Sequence, residues 1–142
     1  MQSLRVGGEA PDFRLKNLHG ETLDLDDAQG KIVILNFWAT WCGPCRVEMP
    51  HFQALHENRD DVAVMAVNFD ESPEKVEAFV TELDLTFDIL LDPGAKVQEQ
   101  YQIRGYPTTY ILDETGTIQV VHIGVLTEKQ ITDYLAGFAA QE

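Results

Sequence analysis

The sequence predicts an α/β domain: a mixed central β-sheet flanked by helices on both faces, with a β-hairpin in front of it. Three patterns point there. Apolar, β-branched stretches alternate with stretches whose apolar residues recur at helical spacing. The strand-like run at residues 31–38 hands over directly to a helical run, as a parallel strand feeding a crossover helix does. The chain then closes on a strand–turn–strand pattern and one last amphipathic helix, so parallel and antiparallel pairs must share the sheet.

Each element has a local reason. Residues 11–25 read as a hairpin, with Phe13 and Leu15 before a turn at His19-Gly20 and Leu23 and Leu25 after it. Asp26 to Gly30 is a connecting turn. The strand at 31–38 leads into a helix over 43–58, in which Glu48, Met49, Phe52 and Leu55 share a face and Pro50 predicts a kink. Residues 61–69 carry Val62, Val64, Met65, Ala66 and Val67, a buried strand. Ser72-Pro73 opens a helix whose Val76, Phe79, Val80 and Leu83 form one stripe. A short strand at 87–91 ends at an Asp92-Pro93-Gly94 turn, and a short helix runs to Tyr101. Residues 108–112 and 118–123 are strands joined by a turn at Asp113 to Gly116. Thr127 and Gln130 make a capping box for the final helix, where Ile131, Tyr134, Leu135 and Phe138 face the core. With no linker, repeat or low-complexity tract, residues 1–142 read as a single domain.

The chemistry is concentrated in Trp41-Cys42-Gly43-Pro44-Cys45, which holds the only two cysteines of the chain. Two thiols separated by two residues at a helix start can cycle between disulfide and dithiol. The attacking species is a thiolate, and a free cysteine titrates near pH ~8.5. A helix N-terminus favours an anion by roughly 0.3–1 kcal/mol, up to ~2 in a partly buried setting. Since about 1.4 kcal/mol is a factor of ten, the helix alone makes the thiol about tenfold more acidic. Cys42, nearer the open end, is the attacking thiolate. Cys45, one turn inward, resolves the mixed disulfide. Pro44 costs nothing in a first turn, where its missing N–H has no partner to lose.

Other uses of a CxxC fit less well. A structural zinc site needs a second ligand pair, and His19, His51, His56 and His122 do not pair at useful spacing. A staple closing so short a loop stabilises little. No metal or cofactor is therefore expected. The net charge of −14 argues against nucleic acid or an anionic lipid surface as partner. No apolar run reaches membrane-span length, and residues 1–5 hold no apolar signal region. The protein is then either cytoplasmic or presented without its signal or anchor. A second motif, Gly105-Tyr106-Pro107-Thr108, brings a proline to the start of an apolar strand. On base rates alone that bond is trans.

Together, Trp41-Cys42-Gly43-Pro44-Cys45 and Gly105-Tyr106-Pro107-Thr108 resemble the thioredoxin superfamily, which implies a thioredoxin fold. In that superfamily the proline is cis, its loop lies against the CxxC, and the backbone of the preceding residue (Tyr106 here) pairs with the substrate chain. The likeness sharpens to the TlpA/ResA-like branch, bacterial thiol-disulfide oxidoreductases associated with cytochrome c maturation. Gly8 to Phe13 resembles that branch's amino-terminal hairpin, and residues 36–41 its approach to the active site. Residues 66–68 and 107–112 resemble two of its later strands. The 37 residues from Asp70 to Pro107 leave room for its central helix–strand insert.

Two polar positions depart from thioredoxin. Where thioredoxin keeps a buried aspartate, six residues before the first cysteine, this chain has Asn36, as the ResA-like branch does. That branch carries a glutamate three residues after the second cysteine, which falls on Glu48. At i and i+3, Glu48 shares a helix face with Cys45. A carboxyl there would be partly desolvated, its pKa raised toward the range of a general acid/base. The expected catalytic set is Cys42, Cys45 and Glu48, with Trp41, Gly43, Pro44, Tyr106 and Pro107 at the substrate groove; Trp38 is expected in the core.

The resemblance implies an extracytoplasmic reductase of protein disulfides such as apocytochrome c. Its electrons would come from a CcdA-like membrane thiol carrier, and it would act as a monomer. Gly43 and Ile103-Arg104-Gly105 look more like thioredoxin itself, which keeps a general thioredoxin-like reductase open as an alternative. They suggest a reducing pair near ~−270 mV instead of an oxidant near ~−120 mV, a gap of ~7 kcal/mol. A peroxiredoxin would need Pro and Thr where this chain has Leu35 and Ala39. A Cu(I) carrier would use a wider cysteine spacing and a distant histidine, for which His122 is the one loose candidate.

Overall fold

The computed structural model describes residues 4–140. Residues 1–3, within the stretch read for a signal region, and residues 141–142 lie outside that range. The strands are β1 (Arg14–Asn17), β2 (Thr22–Asp24), β3 (Ile32–Trp38), β4 (Val62–Phe69), β5 (Asp88–Asp92), β6 (Thr108–Leu112) and β7 (Ile118–Ile123). The helices are α1 (Gly43–Asn58), α2 (Pro73–Glu82), α3 (Lys96–Gln100) and α4 (Glu128–Ala140). All seven strands join one sheet in the order β2-β1-β5-β4-β3-β6-β7. β3, β4 and β5 are parallel, and the pairs flanking them are antiparallel. This is the mixed sheet expected, in a thioredoxin fold.

Alternation along β3 divides the core. Ile32, Ile34 and Trp38 face α1, α2 and α4, meeting Met49 and Phe52 of α1, Val76 and Phe79 of α2, and Ile131 and Leu135 of α4. Val33, Leu35 and Phe37 face the other way, onto α3 and the amino-terminal segment. There Phe37, Tyr101 and Tyr110 form an aromatic cluster with ring centres 5.1–6.1 Å apart. Tyr110 Oη donates to the Tyr101 carbonyl and Tyr101 Oη to the Pro11 carbonyl, so both phenols are satisfied inside the core. The helices are divided unequally: among the described residues α1, α2 and α4 cover one face, while α3, the segment before β1 and the 3₁₀ turn at Leu25–Ala28 cover the other.

The local signals act as read, with small displacements. Ser72 caps α2, its Oγ accepting from Lys75 N. Thr127 and Gln130 form the reciprocal box at the start of α4. Helix α1 runs unbroken through Pro50, which is exposed, so water can take the carbonyl left without a partner. The Asp92-Pro93-Gly94 turn is one 3₁₀ turn that feeds α3. There the buried Asp92 carboxylate accepts from Val97 N and Gln98 N. Gly116 closes the β6–β7 turn at φ +84°, a region that disfavours side chains.

The helix–strand insert has a structural role that its length alone does not reveal. Its strand, β5, extends the parallel sheet beyond β4 and gives the amino-terminal hairpin an edge to pair with, Lys16 against Leu91 and Asn17 against Leu90.

Candidate active site

β3 ends at Trp38, fully buried against Phe79 with ring centres 4.7 Å apart. Four residues on, Cys42 is the N-cap of α1, in extended conformation, and its Sγ accepts from Cys45 N at 3.2 Å. Cys42 and Cys45 are joined as a disulfide, with Cα atoms 5.3 Å apart. Cys42 retains 5 % exposure and Cys45 none, the order that makes Cys42 the sulfur a partner can reach. Gly43 and Pro44 are exposed beside it, and nothing lies within 4 Å of where a Gly43 side chain would begin. Trp41, at 64 % exposure, forms the outer wall.

The second motif meets the first through this tryptophan. The Trp41 ring stands edge-on to Tyr106 at 5.6 Å, and Tyr106 stacks on Phe69 at 5.5 Å and 9°. Burial pushes the Tyr106 phenol up to about 12, so it stays protonated and donates to Gln98 Oε1 at 2.8 Å. The Tyr106–Pro107 peptide is cis, as the resemblance implied and base rates did not. The Pro107 carbonyl accepts from Gly124 N, and Thr108 Oγ1 donates to the Gly105 carbonyl, which holds the loop at both ends.

Glu48 is buried more deeply than its place in the helix suggested: it has no exposed surface. Oε1 accepts from Asn36 Nδ2 at 3.2 Å and Oε2 from Leu126 N at 2.6 Å. Asn36 Nδ2 also donates to Thr109 Oγ1 at 3.0 Å. Burial, only partly offset by these two donors, raises the Glu48 pKa from 4.5 to about 7. This raised carboxyl sits one helical turn along α1 from Cys45.

Sequence reasoning did not find Leu126, Thr109 or Glu71. The Glu71 carboxylate, on the loop after β4, accepts from Thr40 N (2.8 Å), Thr40 Oγ1 (2.5 Å) and Asn68 Nδ2 (2.8 Å). It straps down the residue just before Trp41. No periodicity marks these contacts; they exist only once β4 lies beside β3. His122, the loose copper candidate, directs its ring nitrogens at the Val125 carbonyl and the Tyr134 hydroxyl. Among the described residues no three His, Cys, Asp or Glu side chains are grouped as a metal site would need.

The AhpC/TSA family model matches residues 6–121. The chain is 50% identical over 136 residues to thioredoxin-like protein YneN of Bacillus subtilis, covering 93% of this chain and 79% of that one. It is 41% identical over 144 residues to the thiol-disulfide oxidoreductase ResA of Oceanobacillus iheyensis, covering 97% and 75%. Among solved structures, the exposed lipoprotein thioredoxin of Streptococcus pneumoniae superposes with a TM-score of 0.78 at 30% identity, covering 89% of this chain and 99% of that one. The chain therefore belongs to the AhpC/TSA family, and with its Cys42–Cys45 pair it is a thioredoxin-like thiol-disulfide oxidoreductase of the ResA type, acting on protein disulfides.

Proposed function

We propose that this oxidoreductase works as a reductase outside the cytoplasm, opening disulfides in proteins such as apocytochrome c. The observation that carries the reading is the pairing of a reachable Cys42 with a sealed Cys45 above a buried, near-neutral carboxyl. The Cys42 thiolate attacks one sulfur of the substrate disulfide, and the other substrate sulfur leaves as a thiolate. Glu48 takes the Cys45 proton. Cys45 then attacks Cys42 Sγ, the second substrate sulfur leaves, and the Cys42–Cys45 disulfide forms. Two electrons pass to the substrate, and a dithiol donor of the CcdA type restores the pair.

Trp41, Gly43, Pro44, Tyr106 and Pro107 form the surface on which the substrate segment lies, its backbone pairing with that of Tyr106. An extracytoplasmic setting agrees with the pneumococcal relative's being an exposed lipoprotein and with the compartments in which disulfide exchange on client proteins is common. The enzyme acts as a monomer.

A Cys45→Ala variant tests the reading, because it cannot release what Cys42 has captured. Exposed to extracytoplasmic proteins, it should accumulate mixed disulfides through Cys42 with a CxxC-bearing partner such as apocytochrome c. Capture of many unrelated cytoplasmic proteins would favour a general thioredoxin-like reductase. Absence of any adduct would refute both.

A further inference from the structure

Asn36 is a buried amide with one end bonded twice and the other not at all. Its Nδ2 donates to Glu48 Oε1 and Thr109 Oγ1, while its Oδ1 has no partner, and all three side chains are fully buried. That arrangement matches an ionised Glu48, which only accepts: Asn36 serves one oxygen and Leu126 N the other.

A protonated Glu48 has a different requirement. It carries one O–H, which needs an acceptor. As placed, both groups bonded to the carboxyl are donors, so the acid proton would face an N–H on either oxygen. The amide offers the remedy. Its oxygen and nitrogen ends are nearly the same size, and a rotation of about 180° about Cβ–Cγ exchanges them. Oδ1 would then accept from both the Glu48 O–H and the Thr109 O–H. An aspartate at this position could not do this, because two adjacent carboxyls compete for one proton. The groups that face Glu48 are few. On its own helix Cys45, joined here to Cys42, and His51 stand three residues to either side of Glu48, while β3 and the segment before α4 contribute the neutral Asn36 and Leu126 N–H, with Thr109 of β6 behind Asn36.

We propose that Asn36 is a positioning residue that turns over with the Glu48 proton, so that the carboxyl keeps a matched hydrogen bond both before and after it exchanges a proton with Cys45. The inference rests on the reading of Glu48 given above and deepens it. The exchanging proton would then be followed by the rotation of one amide, whose N–H groups move to the side where Oδ1 now has no partner, a cost that the matched bond to the carboxyl offsets.

Nuclear magnetic resonance on the isotopically labelled, oxidised protein tests it. The Glu48 carboxyl carbon and the Asn36 amino protons are followed from about pH 5 to about pH 9, a range that brackets a near-neutral carboxyl. The Asn36 amino protons should show a strong Overhauser contact to the Thr109 methyl above the Glu48 midpoint and a weak one below it. The two titrations should share that midpoint. Asn36→Leu, which removes both ends of the amide, should raise the proton affinity of Glu48 about 3- to 10-fold, the difference between losing a hydrogen bond to a charged group and losing one to a neutral group. An unchanging contact through the Glu48 titration, or an unmoved midpoint in Asn36→Leu, would overturn the inference and leave Glu48 as a proton carrier. A Glu48 that does not titrate in this range would overturn both.

Discussion

The raised pKa of Glu48 makes the stability of the oxidised protein depend on pH in a way that Glu48→Gln should remove. Below about pH 4.5 the folded and unfolded chains both hold the proton, so the site has no effect. As the pH rises, the unfolded chain releases its proton first and the folded chain keeps its own until about 7. The folded state is therefore progressively disfavoured across that window, and the loss is constant above it. A carboxyl moved from 4.5 to about 7 corresponds to roughly 3 kcal/mol. Gln is neutral at every pH and its oxygen can still accept from Leu126 N. Urea unfolding of wild type and Glu48→Gln, without reductant, should give stability curves that diverge by about 3 kcal/mol between about pH 4 and about pH 8, the variant gaining with pH. Asp24 and Asp61, held below the usual carboxylate range by Arg14 and Arg59, pull the other way but equally in both proteins. Parallel curves would refute the argument, because they would mean that Glu48 ionises as easily folded as unfolded.

The remaining expectations are more local. In disulfide exchange, Glu48→Gln should slow resolution by Cys45 about a hundredfold near neutrality, the scale of a lost general base, and flatten the pH–rate profile; stopped-flow kinetics would show this. Glu71→Ala strands Thr40 N and the Asn68 amide. It should lower stability by about 1–3 kcal/mol, read by urea unfolding, and shift the emission of Trp41. Phe52→Ala opens a void in the core beneath α1 and should cost about 3–5 kcal/mol, measurable in the same way. A loss below about 1 kcal/mol there would mean that the core collapses into the space.

Much of this was legible in the chain because the informative signals are short-range. The apolar run of β3 followed by the CxxC locates the redox pair without any knowledge of the sheet. The spacing of Cys45, Glu48 and Phe52 puts the carboxyl on the buried face. Ser72, Thr127 and Gln130 announce their helices because a cap is made within one turn. What stayed hidden is what depends on chain closure. Leu126 N–H lies 78 residues from Glu48 and Thr109 lies 73 from Asn36, and a backbone amide carries no residue-type signal at all. The docking of the hairpin on β5 was hidden for the same reason: edge pairing depends on which strand arrives beside it, and the alternation of Leu15 and Leu23 fits any partner. The orientation of Pro107 came from the resemblance of its loop and could not have come from composition.

The central claim is that Cys42 and Cys45 exchange reversibly as a reducing pair. Its most direct test is the two-electron midpoint, obtained by equilibrating the protein with dithiothreitol or glutathione redox buffers and counting free thiols by alkylation. The account predicts complete reversibility and a value near ~−270 mV at neutral pH. A midpoint near ~−120 mV would make the protein an oxidant, and a pair that never equilibrates would make the disulfide a structural link; either result would contradict the account.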